Sequence, residues 1–359
     1  MDSVLLSGLG IAGNMSADNS SLDPGDVTVP LRNLRNSVQC VRDRVRDGES
    51  KECNEDFNLQ QFWDTLGQAF KAASQGATKL SLVFSKPPLP SAQDCERLAD
   101  SIEKNVLTLA TVYYWLPKSQ GITLRRIARD ATVEVLEGIS QLIEVILNTP
   151  LQSLSQEQLT STGGVWSSCD YIHRLPQDNQ AAVLSVMASY SAVVKDAIEE
   201  MEQAQADSQD PFSDVLDDDD LDSRGNQDTY WSEEDKQLMA PCQGLMKAGK
   251  ACLKKLSGAV KAHGKVDSPE CIAQLDDLAD ITKEISPTVD DLALSLYPPM
   301  NYAGVRLNAA RLASVVKKVL EITKSSHVCP EAELAWVQFL DGAVQHNMQK
   351  VKNLTQNSI

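Results

Sequence analysis

Amphipathic helical periodicity is the feature that most constrains the fold of this chain. From about residue 28 to residue 354, apolar residues return every three or four positions, with polar residues between them. Such a stripe covers one flank of an α-helix, whereas a half-buried strand alternates with a period of two, and we find no convincing strand. The two clearest stripes are Leu31, Leu34, Val38, Val41 and Val45, followed by Phe62, Leu66, Phe70, Ala73, Ala77, Leu80 and Phe84.

Capping residues and prolines divide these stripes into helices. A Ser with an acidic residue three positions later caps a helix start from both sides, and Pro is accepted in the first helical turn. Pro pairs and single Pro residues also end helices. The candidate starts are Ser91 with Asp94, Asp178, Ser232 with Asp235, Ser268-Pro269 and Ser286-Pro287. The pattern predicts an all-α protein built from up-and-down helical bundles.

The same pattern divides the chain into four parts. Residues 1–27 are rich in Ser, Gly, Asn and Asp and read as a disordered N-terminal tail, and residues 28–205 read as a five-helix bundle. The last helix of that bundle would start at Asp178, after a short segment around Val165. Residues 206–229 read as a disordered acidic linker, because Asp207–Asp222 contains eight Asp. Residues 230–359 form a second bundle, of four or five helices.

Charge is distributed unevenly and argues against nucleic-acid binding. The formal net charge is −17, and residues 196–235 hold sixteen acidic residues and one Arg. A chain this acidic does not bind nucleic acid directly through a general basic face. There is no run of about 18 apolar residues, so we expect no membrane span, and the N-terminus lacks the pattern of a secretory signal.

Motifs for chemistry are weak. Gly8, Gly10 and Gly13 match a dinucleotide-binding spacing, but no alternating strands and helices follow them. The four His residues are scattered, and none of the eight Cys forms a C-x-x-C pair, so buried thiols in a reducing compartment are the expectation. We therefore predict a protein that is not an enzyme, with no catalytic, cofactor-binding or metal-binding residues.

Two features remain as candidate partner-binding or regulatory sites. A group of lysines falls near one face of a helix in the second bundle and could dock an acidic partner or the chain's own acidic linker, although a solvated face gives the same pattern. Ser232, followed by three acidic residues, suits an acid-directed kinase, although the pattern is also that of an N-cap. The lysines are Lys247, Lys250, Lys254, Lys261 and Lys265.

Five stretches resemble the Grap-adaptor- and cyclin-D-interacting protein family, in the same order along the chain. They are LSLVFSKPPLPS (residues 80–91), VYYWLPKSQGITLR (112–125), QDTYWSEED (227–235), KACLKK (250–255) and DDLALSLYPPM (290–300). The resemblance extends from about Phe57 to Leu354 and does not include the first thirty residues.

The resemblance implies a helical protein of cytoplasm and nucleus that binds cyclin D and a Grap-type adaptor. It implies negative control of the cell cycle, through reduced phosphorylation of the retinoblastoma protein by cyclin-D-dependent kinase and reduced downstream transcription. It also implies helix-loop-helix transcription factors as partners, without a DNA-binding basic segment. The alternative from the helical pattern is a vinculin- or talin-like scaffold of the cytoskeleton or of an adaptor complex.

Overall fold

The computed structural model of the protein describes residues 26–48, 57–148, 155–207 and 231–356. The predicted N-terminal tail, except for its last two residues, and the glycine motif at Gly8–Gly13 lie outside these ranges. So does nearly all of the predicted acidic linker. Within them the secondary structure is helical throughout and contains no strand, so the all-α fold class is confirmed.

Eleven α-helices make up the described part of the chain. Their bounds are α1 Thr28–Asp47, α2 Leu59–Val83, α3 Ala92–Tyr114, α4 Ile122–Asn148, α5 Gln156–Asp170, α6 Asn179–Asp207, α7 Glu233–His263, α8 Pro269–Thr282, α9 Ile285–Ser295, α10 Tyr302–Ser325 and α11 Leu334–Gln356. Short 3₁₀ turns precede α4, follow α5 and precede α11.

Most predicted helix starts are confirmed by hydrogen bonds. The Ser91 hydroxyl accepts the Asp94 N–H at 3.1 Å, and Asp178 accepts the Ala181 N–H at 2.8 Å. The predicted cap at Ser286 is wrong, because α9 already begins at Ile285 and its N-cap position is Glu284. The chain turns there within two residues of the end of α8, so Ser286 falls inside the first helical turn.

The first hydrophobic core is formed by α1 to α5, which we call the first lobe. The stripes of α1 and α2 are buried as predicted, and Phe70, Leu109 and Leu142 are fully buried where helices meet. The fifth helix of this lobe is α5, the segment around Val165 that the sequence presented only as short. Val165 is fully buried against α4, and a Cβ on Gly138 would lie 3.2 Å from it.

The second hydrophobic core is formed by α6 to α11, which we call the second lobe. Val183, Met187, Val194, Ile198 and Met201 of α6 pack into this core, and only the first turn of α6 reaches the first core, through Ala182. This differs from the sequence-based grouping, which placed the helix with residues 28–205. A one-sided stripe shows that a helix covers a core but not which core it covers. The boundaries of separately folding domains remain a prediction.

Helix α6 also bears on the expectation of no membrane span. Of the described helices, it alone is long and apolar enough to cross a membrane by length and composition, with a mean hydropathy of 1.4 over an 18-residue stretch. A helix that packs in the core of a globular protein meets the same criterion, and α6 contributes five buried side chains to the second core. The composition is therefore weak support for a span, and the absence of one remains a prediction.

Candidate partner-binding surface

The predicted lysines are only partly brought together. Lys247, Lys254 and Lys261 lie on the solvent face of α7 and are exposed, while Lys250 is half-buried. Lys265 is exposed but follows the end of α7, in the loop before α8, where its backbone N–H donates to His327 Nε2 at 3.1 Å. We call Lys247, Lys254 and Lys261 the α7 lysine face.

A carboxylate of α6 borders the α7 lysine face. Lys247 Nζ lies 2.7 Å from Glu202 Oε1, and their side chains are 56% and 47% exposed. An ion pair this open to solvent contributes only about 0–1 kcal/mol, and salt screens it further. Part of the positive charge on this face is therefore already balanced within the chain, and an acidic partner would compete with Glu202 for Lys247.

Ser232 caps α7 in a closed arrangement. Its hydroxyl donates to Asp235 Oδ2 at 2.8 Å and accepts the Asp235 N–H at 3.1 Å, while the Ser232 N–H donates back to the same carboxylate at 2.8 Å. The hydroxyl of Tyr302, from α10, donates to Asp235 Oδ1 at 2.8 Å. The N-cap role is confirmed, and the residue is also exposed.

A set of buried hydrogen bonds, which the sequence did not indicate, joins the two lobes; we call it the inter-lobe cap. Helix α4 follows Gly121, which has a φ of 114° and no side chain that could cap the helix. The Asp276 carboxylate, from α8, accepts the Ile122 N–H at 2.7 Å, the Thr123 N–H at 3.0 Å and the Thr123 hydroxyl at 2.7 Å. A residue of the second lobe thus satisfies the free N–H groups of a helix in the first lobe.

Asn179 completes this inter-lobe cap. Its amide donates to Asp276 Oδ1 at 3.0 Å and its carbonyl oxygen accepts the Leu124 N–H at 3.0 Å. Asn179 is 1% exposed and Asp276 is 6% exposed, so these bonds are shielded from water. A Cβ at Gly121 would overlap the Asn179 side chain, which explains why glycine occupies that position. The bonds fix the orientation of the two lobes.

Four buried cysteines among the described residues are poor candidates for nucleophiles. Burial raises the pKa of Cys169, Cys242 and Cys252 to about 12 and that of Cys95 to about 11, so these thiols stay protonated near neutral pH. Among the described residues, no three His, Cys, Asp or Glu side chains are grouped closely enough to hold a metal ion. His263 contacts Glu333 at 3.4 Å, and His327 contacts Gln274 at 2.8 Å.

These features define a class. Two cores of amphipathic helices, joined by a buried polar cap and presenting charged helix faces, are the features of a helical-bundle interaction protein. The chain belongs to the Grap2 and cyclin-D-interacting family. The family's N-terminal model matches residues 65–207 and its C-terminal model matches residues 216–321, so the N-terminal match ends with α6.

Curated relatives match over nearly the whole chain. The cyclin-D1-binding protein 1 homolog of Xenopus laevis is 62% identical over 92% of this chain and 99% of its own length. The Danio rerio homolog is 60% identical over 95% of this chain and 98% of its own length. Cyclin-D1-binding protein 1 of Homo sapiens is 45% identical over 92% of this chain and 94% of its own length.

Sequence reasoning missed the inter-lobe cap although one signal was present. Asp276 stands four residues after Ile272 and three before Ala279, on the buried stripe of α8. A carboxylate on an apolar stripe is expected to have hydrogen-bonding partners, because its burial without them is strongly unfavourable. What the sequence could not show is that those partners are 153 residues away, at the start of α4.

Proposed function

We propose that this protein binds cyclin D and thereby acts as a negative regulator of cell-cycle progression. Cyclin D held by this chain would be restrained from directing its kinase to the retinoblastoma protein, and downstream transcription would fall. The observation that supports cyclin D as the partner is that relatives named for cyclin D1 binding align over more than nine-tenths of the chain. Both lobes are therefore included in the similarity.

The mechanism we propose is binding without catalysis, with the α7 lysine face as the docking surface. Three exposed lysines on one helix face would attract an acidic patch of the partner and raise its rate of encounter. The neighbouring Glu202 limits the attraction to partners that can displace it from Lys247. The acidic segment before residue 231 could compete for the same lysines, which would make partner binding sensitive to salt.

Further partners belong to the same proposal. A Grap-type adaptor is suggested by the family description. Helix-loop-helix transcription factors are also proposed as partners, although they would need an exposed apolar helix face and the main stripes of this chain are buried in its two cores. We propose that the protein works in both cytoplasm and nucleus, where cyclin D and these factors would be met.

Ser232 is proposed as a phosphorylation site. It is exposed, and Glu233, Glu234 and Asp235 follow it directly. A phosphate at the N-terminus of α7 would be favoured by the helix dipole, but it would displace the hydroxyl bond to Asp235 and lie beside its carboxylate. Modification would therefore change the charge at the start of the helix that carries the lysine face.

The experiment compares two classes of partner. Immobilised full-length chain is incubated with purified cyclin D and, separately, with filamentous actin, the arm that tests the vinculin- or talin-like scaffold. We expect retention of cyclin D alone, and dose-dependent inhibition when a cyclin-D-dependent kinase phosphorylates a retinoblastoma fragment. Retention of actin without cyclin D would favour the scaffold, and retained cyclin D with unchanged kinase activity would contradict the regulatory mechanism.

A further inference from the structure

Exposed apolar side chains line the junction between α2 and α5. Leu82 is 65% exposed, Leu159 is 47% exposed and Trp166 is 45% exposed, although each belongs to a helix whose other face lies in the first core. Leu82 follows Thr78 by one helical turn, and Leu159 precedes Trp166 by two turns. Trp166 Nε1 donates to Thr78 Oγ1 at 2.9 Å across the junction, so the four residues share one edge.

The two helices are antiparallel, and we call the surface along their adjoining edges the α2/α5 groove. Gln158 Nε2 donates to the Ser81 carbonyl at 2.9 Å near one end, and Trp63 Nε1 donates to the Gln177 carbonyl at 2.8 Å beyond the other end. At the Trp63 end the groove opens into a cleft of about 660 Å³. Gly67, Lys71 and Ser74 of α2 line this cleft together with Asp170 and His173. Thr78 and Leu82 continue the same edge of α2, and Trp166, Gly163 and Leu159 continue the adjoining edge of α5. From Gly67 to Leu82 the groove is about 22 Å long, which matches a helix of about four turns.

Two glycines along this groove, Gly67 and Gly163, lie beside open space. A Cβ at either position would meet no atom of a neighbouring element within 4 Å, and neither glycine has a positive φ. Glycine in a helix interior costs about 0.5–1 kcal/mol relative to alanine, so these positions reduce helix stability without an internal contact that requires them. Small residues on a helix surface allow a second helix to approach closely.

Charge along the groove is mixed in the cleft and positive beyond it on the α2 side, because Asp64 and Asp170 line the cleft together with Lys71. After Asp64, α2 carries Lys71 and Lys79 and no carboxylate, and both lysines are exposed. Between Glu157 and Asp170, α5 has no charged residue. The positive charge on this edge contrasts with the protein as a whole, which has 50 acidic residues in 359 and a net charge of −17. An occupant therefore meets an apolar edge flanked by positive charge on the α2 side.

We propose that the α2/α5 groove binds an amphipathic α-helix of a partner protein, of about four turns. The partner helix carries leucine-like residues on its groove-facing side, over Leu82, Leu159 and Trp166, and acidic residues on its edge above Lys71 and Lys79. Because Gly163 has no side chain, the backbone of the partner helix can approach α5 closely at this position. This site lies on the first lobe and is independent of the α7 lysine face and of cyclin D.

The test uses the full-length chain and designed helical peptides as probes. An 18-residue peptide with leucines at three- and four-residue spacing carries glutamates on one flank, and a second peptide carries lysines at the same positions. Fluorescence anisotropy measures the affinity of each peptide. We expect the acidic peptide to bind with a dissociation constant of about 1–100 μM and the lysine peptide at least tenfold more weakly.

Matched variants distinguish peptide binding in the groove from nonspecific hydrophobic binding. The double variant Leu82→Asp with Leu159→Asp should lower the affinity for the acidic peptide at least tenfold. The control pair Leu294→Asp with Leu307→Asp changes residues that are 70% and 54% exposed on other helices and should leave the affinity within twofold. Lys71→Glu with Lys79→Glu should reverse the preference between the two peptides.

Gly163→Met gives effects of opposite sign on folding and binding. The free space around this residue allows a side chain, and methionine favours helix, so the thermal midpoint should stay the same or rise by about 2 °C. The same side chain fills the groove, so peptide affinity should fall at least tenfold. Absence of binding by the acidic peptide, equal affinity for both peptides, or unchanged affinity in Gly163→Met would overturn the proposal.

Discussion

The Asp276 carboxylate accepts both the backbone N–H and the hydroxyl of Thr123, at 3.0 Å and 2.7 Å, across the boundary between the two lobes. The start of a helix in the first lobe is thereby capped by a side chain of the second. Arg126, one turn further along α4, forms an exposed ion pair with Asp280, one turn further along α8. The two contacts hold α4 and α8 in a fixed relation.

Replacing Asp276 should destabilise the whole protein. Asp276→Ala removes the acceptor of four hydrogen bonds and leaves buried N–H groups at the start of α4 without a partner. Loss of bonds to a buried charged group costs about 2–3 kcal/mol. Urea denaturation followed by circular dichroism should show this loss, with a broader or two-step transition as the lobes uncouple.

The matched control for Asp276 is its neighbour. Asp277→Ala removes the same charge from an exposed position of α8 and should change the free energy of unfolding by less than about 0.5 kcal/mol. Equal effects of the two substitutions would show that the inter-lobe cap contributes nothing to stability.

Leu340 and Phe339 are adjacent residues of α11 with opposite environments. Leu340 is 4% exposed in the second core, whereas Phe339 is 73% exposed. Leu340→Asp places a carboxylate in an apolar core, at a cost of several kcal/mol, and should unfold the second lobe. Phe339→Asp should leave the thermal midpoint nearly unchanged. If both variants have the thermal midpoint of the wild type, the placement of Leu340 on the buried side of α11 is wrong.

His327 should make stability depend on pH below neutrality. Its Nε2 accepts the Lys265 N–H and its Nδ1 faces Gln274 Oε1 at 2.8 Å, which fits the neutral ring. Burial, and secondarily Lys265, lowers the pKa of His327 below 6.5, and Asp267 opposes this shift. The unfolded chain then binds more protons, so this contribution to stability is complete above pH 6.5 and decreases as the pH falls towards the folded-state pKa.

The pH prediction is checked with His327→Gln. Unfolding free energies of wild type and variant are measured between pH 7.5 and 5.5. The wild type should lose stability over this range more steeply than the variant, in which no imidazole titrates at this position. Parallel pH profiles would show that His327 is not the group responsible.

Unmodified Ser232 should contribute to stability as the N-cap of α7. Ser232→Ala removes both hydrogen bonds of the Ser232 hydroxyl and should lower the free energy of unfolding by about 1 kcal/mol. Ser232→Asp keeps an acceptor and should recover part of the loss, although it stands beside Asp235. Ser325→Ala, an exposed hydroxyl at the end of α10, serves as the comparison and should have a smaller effect.

The sequence predicted the helices well because local physics determines them. The stripes at Leu31–Val45 and Phe62–Phe84 are buried residue by residue, and Ser91 and Ser232 cap helices as their spacing indicated. The regular 3.6-residue period and the capping chemistry are both contained within a few residues of sequence. They need no knowledge of the rest of the fold.

What the sequence did not predict depends on contacts between distant residues. The stripe of α6 packs on the second core, and Asp276 caps α4 from 153 residues away. The lysine pattern predicted one face, but Lys250 is half-buried and Lys265 lies beyond the end of α7 at His263. Both features depend on tertiary structure. The α2/α5 groove depends on the register of two helices and was not predicted.

Calorimetric titration of cyclin D into the full-length chain tests the central claim most directly. Three proteins are compared at 50 mM and 500 mM salt: wild type, Lys254→Glu with Lys261→Glu, and the control pair Lys318→Glu with Lys352→Glu, which makes the same charge change on α10 and α11. We predict saturable binding by wild type that weakens with salt, a loss of at least tenfold in affinity for the α7 pair, and a loss within threefold for the control pair. Absence of binding by the folded wild-type chain, or equal losses in the two pairs, would contradict the account.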